Sequence, residues 1–351
     1  MNHYYLISIL LIVSCQPIKQ KAEPQIQIIK QATTTSVGLR GLSVVDESIA
    51  WASGAEGTYL RTTNGETWQS DTVEGTSAYQ FRDVEAFSKD AALLLTAGNP
   101  AKIYKTTDGG ATWLETYSNT TEGIFFDAMD FWDNEHGIAF SDAVNGHLVV
   151  IVTDDGGSTW KEISYEGFPT SPDEGEGGFA ASGTCLTTFG DSLVWIGLGS
   201  PNSRVFKSAD RGESWWAIET PMKGSTSSAG IFSLEFISPS YGIAVGGDYE
   251  LKDSIARNAM MTKDGGTSWQ LLGANGPKGY RSAITHVPET DLWLAAGRGG
   301  VDISTDNGVT WSLVDTIGYY TIQMAGPHVG YATGSEGRIA KILINPEPSL
   351  E

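Results

Sequence analysis

The chain of 351 residues contains 42 acidic and 22 basic side chains and has a net charge of −20. Such a strongly negative protein repels a phosphate backbone, which excludes nucleic acid as a partner. Its 42 glycines and its low content of charged residues, 18%, indicate short strands joined by tight turns, so the sequence predicts an all-β protein. Cys15 and Cys185 are the only cysteines, which excludes a cysteine-based metal site.

The N-terminus has the pattern of an export signal. Residues 6–13 form an apolar run too short to cross a bilayer, and the residues up to Cys15 resemble the bacterial lipobox. We expect residues 1–14 to be a lipoprotein signal peptide, Cys15 to be lipidated, and residues 15–24 to be a polar tether. This predicts an exported protein held by a lipid anchor alone at the outer membrane of a Gram-negative bacterium. An ordinary secretory signal is the alternative.

A short motif of the form Ser/Thr-x-Asp-x-Gly-x-Ser/Thr-Trp, the Asp box, recurs along the chain. Its tryptophans are 42 to 55 residues apart, which is close to the length of one four-stranded propeller blade. A sixth copy, at 62–68, is one residue shorter. The five complete copies lie at 106–113, 153–160, 208–215, 262–269 and 304–311.

The box residues have a mechanical explanation. The hydroxyl and carboxylate groups bond nearby backbone N–H groups and glycine supplies a positive φ, so the box predicts a hairpin between two strands. We therefore interpret its acidic positions as scaffold and predict no metal and no cofactor site. These positions are Asn64, Asp108, Asp155, Asp210, Asp264 and Asp306.

A second half-unit, consisting of an alternating strand, a polar turn and a small or aromatic strand, occurs seven times. The seventh copy is followed by one more strand and no box, so its blade lacks a fourth strand. Residues 25–30 have strand alternation and no partner of their own. We therefore predict a seven-bladed β-propeller over residues 25–346, with the N-terminal strand closing the last blade, and a short tail at 347–351.

Both halves of the unit have recognisable residues. They are Phe81, Arg82, Asp83, Val84, Gly98 and the stretch 104–113, with agreeing residues at 39–44, Gly54 and 59–68. Over residues 25–345 this pattern closely resembles the repeat of the photosystem II stability/assembly factor family. The resemblance implies a seven-bladed propeller. Photosynthetic members bind assembling membrane complexes through an arginine-bearing face, whereas relatives in other bacteria lack photosystems, so no photosynthetic role is implied.

Three arginines are candidates for partner binding, by analogy with propellers that bind ligands at a channel mouth. Arg40, Arg82 and Arg281 lie at equivalent places in three first strands, and guanidinium groups suit bidentate recognition of carboxylates. We expect them to converge on an anionic group of an envelope protein or glycan. Pairing of each arginine with a nearby acid, such as Asp83 or Asp127, is the alternative.

Two long loops, at 165–178 and 248–258, break the repeat and either form a binding face or are solvated acidic loops. The favoured function is a non-catalytic binding or assembly scaffold. The alternative is a glycoside hydrolase, because Asp boxes also occur in sialidases, although the Arg-Ile-Pro segment of sialidases is absent here. A hydrolase needs two carboxylates about 5 to 9.5 Å apart. The candidates for that pair are Asp127, Asp130, Glu174 and Glu176.

Overall fold

The computed structural model describes residues 24–222, 224 and 226–345. These residues form 28 strands and two three-residue 3₁₀ helices, Tyr165–Gly167 and Gly273–Asn275. Neither helix is long and apolar enough to cross a membrane. The expected signal peptide, the lipidation site Cys15 and the tail at 347–351 lie outside the described residues, and these stay predictions.

The strands form seven antiparallel sheets of four strands each. The first strand is β1 (Ile26–Gln31). Blade 1 consists of β2 (Leu39–Val44), β3 (Ala50–Gly54), β4 (Thr58–Thr62) and β5 (Gln69–Thr72). Blade 2 consists of β6 (Gln80–Ala86), β7 (Ala92–Ala97), β8 (Ala101–Thr106) and β9 (Leu114–Asn119). Blade 3 consists of β10 (Phe126–Phe131), β11 (Gly137–Val144), β12 (His147–Thr153) and β13 (Lys161–Glu162).

The remaining blades repeat this order. Blade 4 consists of β14 (Leu186–Phe189), β15 (Leu193–Gly197), β16 (Val205–Ser208) and β17 (Trp216–Ile218). Blade 5 consists of β18 (Ala229–Phe236), β19 (Gly242–Asp248), β20 (Ala259–Thr262) and β21 (Gln270–Leu271). Blade 6 consists of β22 (Ala283–His286), β23 (Trp293–Gly297), β24 (Gly300–Ser304) and β25 (Ser312–Asp315). Blade 7 consists of β26 (Thr321–Met324), β27 (Val329–Thr333), β28 (Ile339–Ile344) and β1.

The first strand of each blade lies innermost, since the first strands of neighbouring blades contact one another around a central channel. Strand β1 pairs antiparallel with β28, from Ile26 opposite Ile344 to Gln31 opposite Ile339. This closes blade 7 with the N-terminal strand. The predicted all-β, seven-bladed propeller is therefore confirmed, including the way in which its ring is closed.

The core lies between the blades. Each sheet is covered on both faces by its neighbours, so the second strands are continuous apolar runs rather than alternating ones. Leu93, Leu94 and Leu95 of β7 are all fully buried. Leu94 packs in the cluster shared with blade 1, whereas Leu93 and Leu95 pack in the cluster shared with blade 3. The packing of neighbouring sheets thus holds the ring together.

Each Asp box forms the hairpin between the third and fourth strands of its blade. In blade 2, the Thr106 hydroxyl oxygen accepts the backbone N–H of Gly110 at 2.9 Å. Asp108 accepts the backbone N–H of Thr112 at 2.9 Å and the hydroxyl of the same residue at 2.7 Å. Gly109 and Gly110 have φ values of 75° and 90°, which suit glycine. The corresponding bonds form at Asn64, Asp155, Asp210, Asp264 and Asp306.

Candidate functional site

The strand register gives the ring two distinct sides. In blade 1, Leu39 pairs with Gly54 at one end of the sheet, and Ala50 pairs with Thr62 at the other end, where the Asp box begins. We call these ends the depression side and the box side. On the depression side a cavity of about 440 Å³ lies at the mouth of the channel. Residues that line this depression include Arg40, Arg82, Asp142, Phe179, Ala180, Ala181, Phe232, Tyr249, Tyr280, Arg298 and Tyr320.

Three arginines of the depression have no carboxylate in ion-pair range among the residues that the structure describes. Arg40 donates to the carbonyl of Ala181 at 3.3 Å, and its guanidinium carbon lies 4.4 Å from the centre of the Tyr320 ring. Arg298 lies over the Tyr249 ring at 5.8 Å. These contacts orient the guanidinium groups without neutralising their charge.

The arginines also repel one another. Burial lowers the pKa of Arg40, and the neighbouring Arg298 lowers it further. Burial lowers the pKa of Arg82, and Arg40 adds to that effect, while Asp127 opposes it. Arg82 donates to the side-chain oxygen of Gln80 at 2.8 Å and to the carbonyl of Ala180 at 3.2 Å. A ligand carboxylate placed among these groups would therefore relieve repulsion as well as form hydrogen bonds.

Aromatic side chains form one wall of the depression. The rings of Phe179 and Phe232 stack with their centres 3.8 Å apart, and Tyr280 meets Phe232 edge-on at 4.8 Å. Tyr249 lies edge-on to Phe232 at 6.3 Å. Tyrosine combines an apolar ring with a polar end, which suits it to binding surfaces. The depression therefore offers an apolar wall beside unpaired positive charge.

The first of the two irregular loops crosses the channel mouth and forms the floor of the depression. Gly178 donates its backbone N–H to Asp142 at 2.7 Å in blade 3, and the hydroxyl of Ser182 donates to the carbonyl of Ser282 at 2.7 Å in blade 6. Residues 178–181 line the depression, whereas Gly183 lines the channel beneath. The segment therefore separates the two cavities.

A buried ion pair anchors this loop. Arg204 binds Glu176 with its Nη2 atom 2.5 Å from Oε2, and the side chain of Glu176 is fully buried. Arg204 also donates to the hydroxyl of Thr170 at 3.0 Å and to the carbonyl of Ser171 at 3.1 Å. One arginine of blade 4 thus fixes the shape of the segment that leads into the depression.

Two carboxylates lie together at the edge of the depression. Asp127 is fully buried, and neither of its oxygens meets a hydrogen-bond partner in the described part of the chain. Burial raises the pKa of Asp127 well above its ordinary value, and the carboxylate of Asp142 beside it raises the pKa further. Gly178 passes directly over Asp127, since a Cβ there would lie 2.6 Å from its carboxyl carbon. The pair is covered by the loop.

The channel beneath the loop has a volume of about 300 Å³ and is lined by four carboxylates: Asp83, Glu85, Asp130 and Glu235. Burial raises the pKa of all four, that of Asp130 to about 6 and that of Glu235 to about 8. Among the described residues, no three acidic, histidine or cysteine side chains are arranged to hold a metal ion.

Three of these carboxylates join neighbouring blades. Asp83 accepts the backbone N–H of Met129 at 2.7 Å, Asp130 accepts that of Thr188 at 2.6 Å, and Glu235 accepts that of His286 at 2.9 Å. Polar side chains in blades 1, 5 and 7 bond the next blade in the same sense. The side-chain oxygens of Ser43, Ser233 and Gln323 accept the backbone N–H groups of Ala86, Ile284 and Val44, respectively. These side-chain hydrogen bonds thus join neighbouring blades along the channel wall at five of the seven junctions.

One of the three arginines predicted to bind a partner does not belong to the depression, which corrects that prediction. Arg40 and Arg82 line the depression together, but Arg281 does not line it and is fully buried. Its guanidinium group pairs with Asp302 of the same blade, where Nε lies 2.6 Å from Oδ2. Arg298, in the turn after β23, takes the third place instead. Sequence reasoning missed it because it searched only first strands.

The four candidate catalytic carboxylates are not brought to one cavity. Asp127 is buried beneath Gly178, and Asp130 lines the channel. Glu176 is held by Arg204, and Glu174 is exposed on the loop. Neither glutamate lines the depression or the channel. Cys185, the one cysteine within the described ranges, is buried, and burial raises the pKa of its thiol well above the ordinary value.

Comparison with known proteins identifies the repeat and the fold. The model of the BNR/Asp-box repeat matches residues 302–313, which include the whole blade 6 box. No curated protein matches the chain in sequence.

Solved structures match almost the whole chain. A structure of YCF48 bound to a D1 peptide is 16% identical with a TM-score of 0.64, covering 91% of this chain and 94% of that one. YCF48 from Cyanidioschyzon merolae is 18% identical with a TM-score of 0.62, covering 90% and 98%. A GH74 enzyme from Niastella koreensis is 14% identical with a TM-score of 0.59, covering 89% and 53%. At these identities the likeness shows the fold. The two YCF48 structures, of a photosystem II assembly factor, fit the family resemblance of the repeats.

Proposed function

We propose that this seven-bladed Asp-box propeller is a non-catalytic binding protein that recognises a carboxylate-bearing protein segment in the depression. The observation that supports this most directly is the set of three arginines, Arg40, Arg82 and Arg298, around one aromatic-walled cavity, with no ion-pair partner among the residues that the structure describes. Guanidinium groups bind carboxylates bidentately, and tyrosine rings supply apolar contact at small entropic cost.

The comparison supports a peptide as the ligand. YCF48 has the same fold and is bound to a D1 peptide in its solved structure. An extended peptide fits a depression of about 440 Å³ for a few residues of its length. We therefore propose that the partner is an envelope protein, bound through a short segment with an acidic side chain or a free C-terminus. A glycan is the second class of partner, and it would need acidic sugars to use the arginines.

The location is also a proposal. The lipobox-like sequence before Cys15 supports export and lipid anchoring at an outer membrane. Labelling cells with a fatty-acid analogue tests the anchor, because Cys15→Ser abolishes the label and releases the protein from the membrane fraction. Labelling that persists in Cys15→Ser contradicts the proposal.

The binding proposal is tested by capture from an envelope extract with the purified full-length chain. The variant Arg40→Ala/Arg82→Ala/Arg298→Ala should lose a protein that the wild type captures. The matched control removes three exposed lysines, Lys30, Lys89 and Lys263, and should retain the captured protein. Peptides of that protein are then titrated with free and amidated C-termini. Each arginine should contribute about tenfold to the affinity. Equal capture by all three proteins refutes the proposal.

The glycoside hydrolase alternative has two supports. The propeller of a GH74 enzyme has the same fold. In addition, Asp130 and Glu235 line the channel with pKa values of about 6 and about 8, so at neutral pH Glu235 keeps its proton, as a general acid must, whereas Asp130 has mostly lost its own. Their hydrogen bonds to backbone N–H groups of the next blade favour a structural role instead.

A screen against chromogenic glycosides and cell-wall glycans decides between the two functions. Turnover that is abolished by Asp130→Asn, Glu235→Gln, Asp127→Asn or Glu176→Gln would make the protein a hydrolase. No turnover across the panel supports the binding function.

A further inference from the structure

A cationic side chain joins neighbouring blades on the box side at four junctions. It lies in the third strand of its blade, and it reaches the Asp box of the next blade. Lys105 donates to the hydroxyl of Ser158 at 2.8 Å, and Lys341 donates to Glu66 at 2.6 Å. The other two cations are Arg61, against Gly109 of blade 2, and Lys207, against Gly265 of blade 5.

Two junctions that lead to an Asp box lack this cation. At the junction between blades 5 and 6 its position is occupied by Met261, which pairs with Ile243. The junction between blades 3 and 4 is the second. Val152 occupies the position of the cation, since it pairs with Ile138 as Lys105 pairs with Leu93. The box of blade 4 has Arg211, with a φ of 59°, where the boxes of blades 2, 3 and 5 have glycine. At those three boxes the glycine leaves room for a cation from the neighbouring blade.

Arg211 is held by contacts in blades 3 and 4. Its Nε atom donates to the carbonyl of Asp191 at 2.7 Å, and its guanidinium carbon lies 5.8 Å from the centre of the Trp132 ring. An open groove of about 800 Å³ lies between blades 3 and 4 at this junction. Trp132, Val152, Trp160 and Arg211 line it, and both tryptophans are partly exposed.

The indole N–H of Trp160 is a second, independent feature of this groove. The box tryptophans of blades 4, 5 and 6 donate their indole N–H to a carbonyl of their own box, at 2.8, 3.1 and 2.9 Å. The N–H of Trp160 is buried and has no acceptor among the described residues. Trp113 also lacks an acceptor, but it packs edge-on against Trp51 and Tyr59, away from the groove. A ligand oxygen at the groove wall would supply the missing acceptor after a small shift of the ring.

We propose that this groove binds a neutral oligosaccharide. Tryptophan rings offer flat apolar surfaces to the C–H faces of a sugar, and the surrounding polar groups suit its hydroxyls. The charged groups on the wall have both signs: Lys161 and Arg211 face Asp154, Glu162 and Glu213. Such a balanced wall favours an uncharged ligand over an anion.

A peptide fits the groove less well. Peptides that bind to sheet edges form a ladder of backbone hydrogen bonds. Strand β13, the edge strand of blade 3, has only two residues, Lys161 and Glu162, so it provides little backbone for such a ladder. The groove also lies on the box side, at the other end of the sheets from the arginines. The two proposals concern different surfaces, so either one can fail without the other.

Isothermal titration of the purified full-length chain tests the proposal. The probes are cellohexaose, hexa-N-acetylchitohexaose, mannohexaose and xylohexaose, with decaproline as the peptide probe. We expect at least one hexasaccharide to bind with a dissociation constant of about 1 mM or tighter. Val152→Lys, which supplies the cation that four other junctions have, should weaken this binding at least about tenfold, and so should Trp132→Ala.

Lys30→Ala, on the exposed part of β1 in blade 7, is the control and should bind the sugar as the wild type does. Thermal unfolding of each variant establishes that it is folded, and either groove variant alone suffices if the other is not. The proposal is overturned if no hexasaccharide binds, if decaproline binds instead, or if the folded groove variants bind the sugar with wild-type affinity.

Discussion

The indole N–H of Trp68 donates to the side-chain oxygen of Gln31 at 2.7 Å. The amide of the same glutamine donates to the carbonyl of Gly65 at 2.8 Å. Gln31 lies at the end of β1 in blade 7, whereas Trp68 and Gly65 belong to the Asp box of blade 1. The closing strand is therefore held by the side chain of Gln31 as well as by its backbone ladder with β28.

Gln31→Ala should lower the free energy of unfolding by about 1 to 3 kcal/mol, because it leaves a buried indole N–H and a backbone carbonyl without partners. Urea unfolding followed by tryptophan fluorescence measures this change. Gln27→Ala is the matched control, since Gln27 is exposed on the same strand. A Gln31→Ala protein as stable as Gln27→Ala would show that the side-chain bonds do not hold the strand.

Asp264→Ala should destabilise the blade 5 box by about 1 kcal/mol, because the backbone N–H and the hydroxyl of Ser268 both lose their acceptor. Asp264→Asn should cost less, since Asn64 fills the same role in blade 1. The hydrogen bond from the Ser268 side chain is the main cause that lowers the pKa of Asp264. Its contribution is therefore present above the ordinary pKa of 3.8 and disappears as the pH falls through the lowered value. Denaturant midpoints at neutral and acidic pH test this, and a loss that is larger at acidic pH contradicts it.

Glu235→Gln should stabilise the protein at alkaline pH. Burial raises the pKa of Glu235 from 4.5 to about 8, so the folded state keeps a proton that the unfolded state releases between these values. The free energy of unfolding therefore falls as the pH rises from 4.5 to 8. Glutamine has no such proton and can still accept the N–H of His286. Melting temperatures across this range should fall less in Glu235→Gln than in the wild type. Parallel pH profiles would refute the assignment.

Arg204→Met should destabilise the protein by about 3 kcal/mol or more, because it leaves the carboxylate of Glu176 buried without its partner. The double variant Arg204→Met/Glu176→Leu should recover part of this loss, since it removes both charges. Chemical denaturation measures the stability of each variant. Equal stability of the single and double variants would show that burial of the unpaired charge is not the cause.

The fold was more predictable from the sequence than the site. Glycine and tryptophan at a regular spacing determine where each hairpin turns. Blade 7 has only three strands in its own repeat, so a strand from elsewhere in the chain, β1, had to complete it. The position of a residue in the repeat, in contrast, does not determine where the charged group of its long side chain lies. Arg40 and Arg281 occupy similar positions in the repeat, yet the guanidinium group of Arg281 binds Asp302 of its own blade. Arg298 belongs to a turn, and Tyr249 to an irregular loop, where the repeat gives no guidance.

The closure of blade 7 also determines the order in which the ring is completed during synthesis. Gln25 bonds Asn345 across a separation of 320 residues, so the strand that is made among the first must wait for one made near the end. Contacts so distant in sequence form slowly. A nascent or truncated chain that lacks β28 therefore leaves β1 unpaired, with an open sheet edge that invites association with other chains. Ring closure thus distinguishes finished chains from unfinished ones, and proteases or chaperones that bind open strand edges should act on the unfinished ones alone.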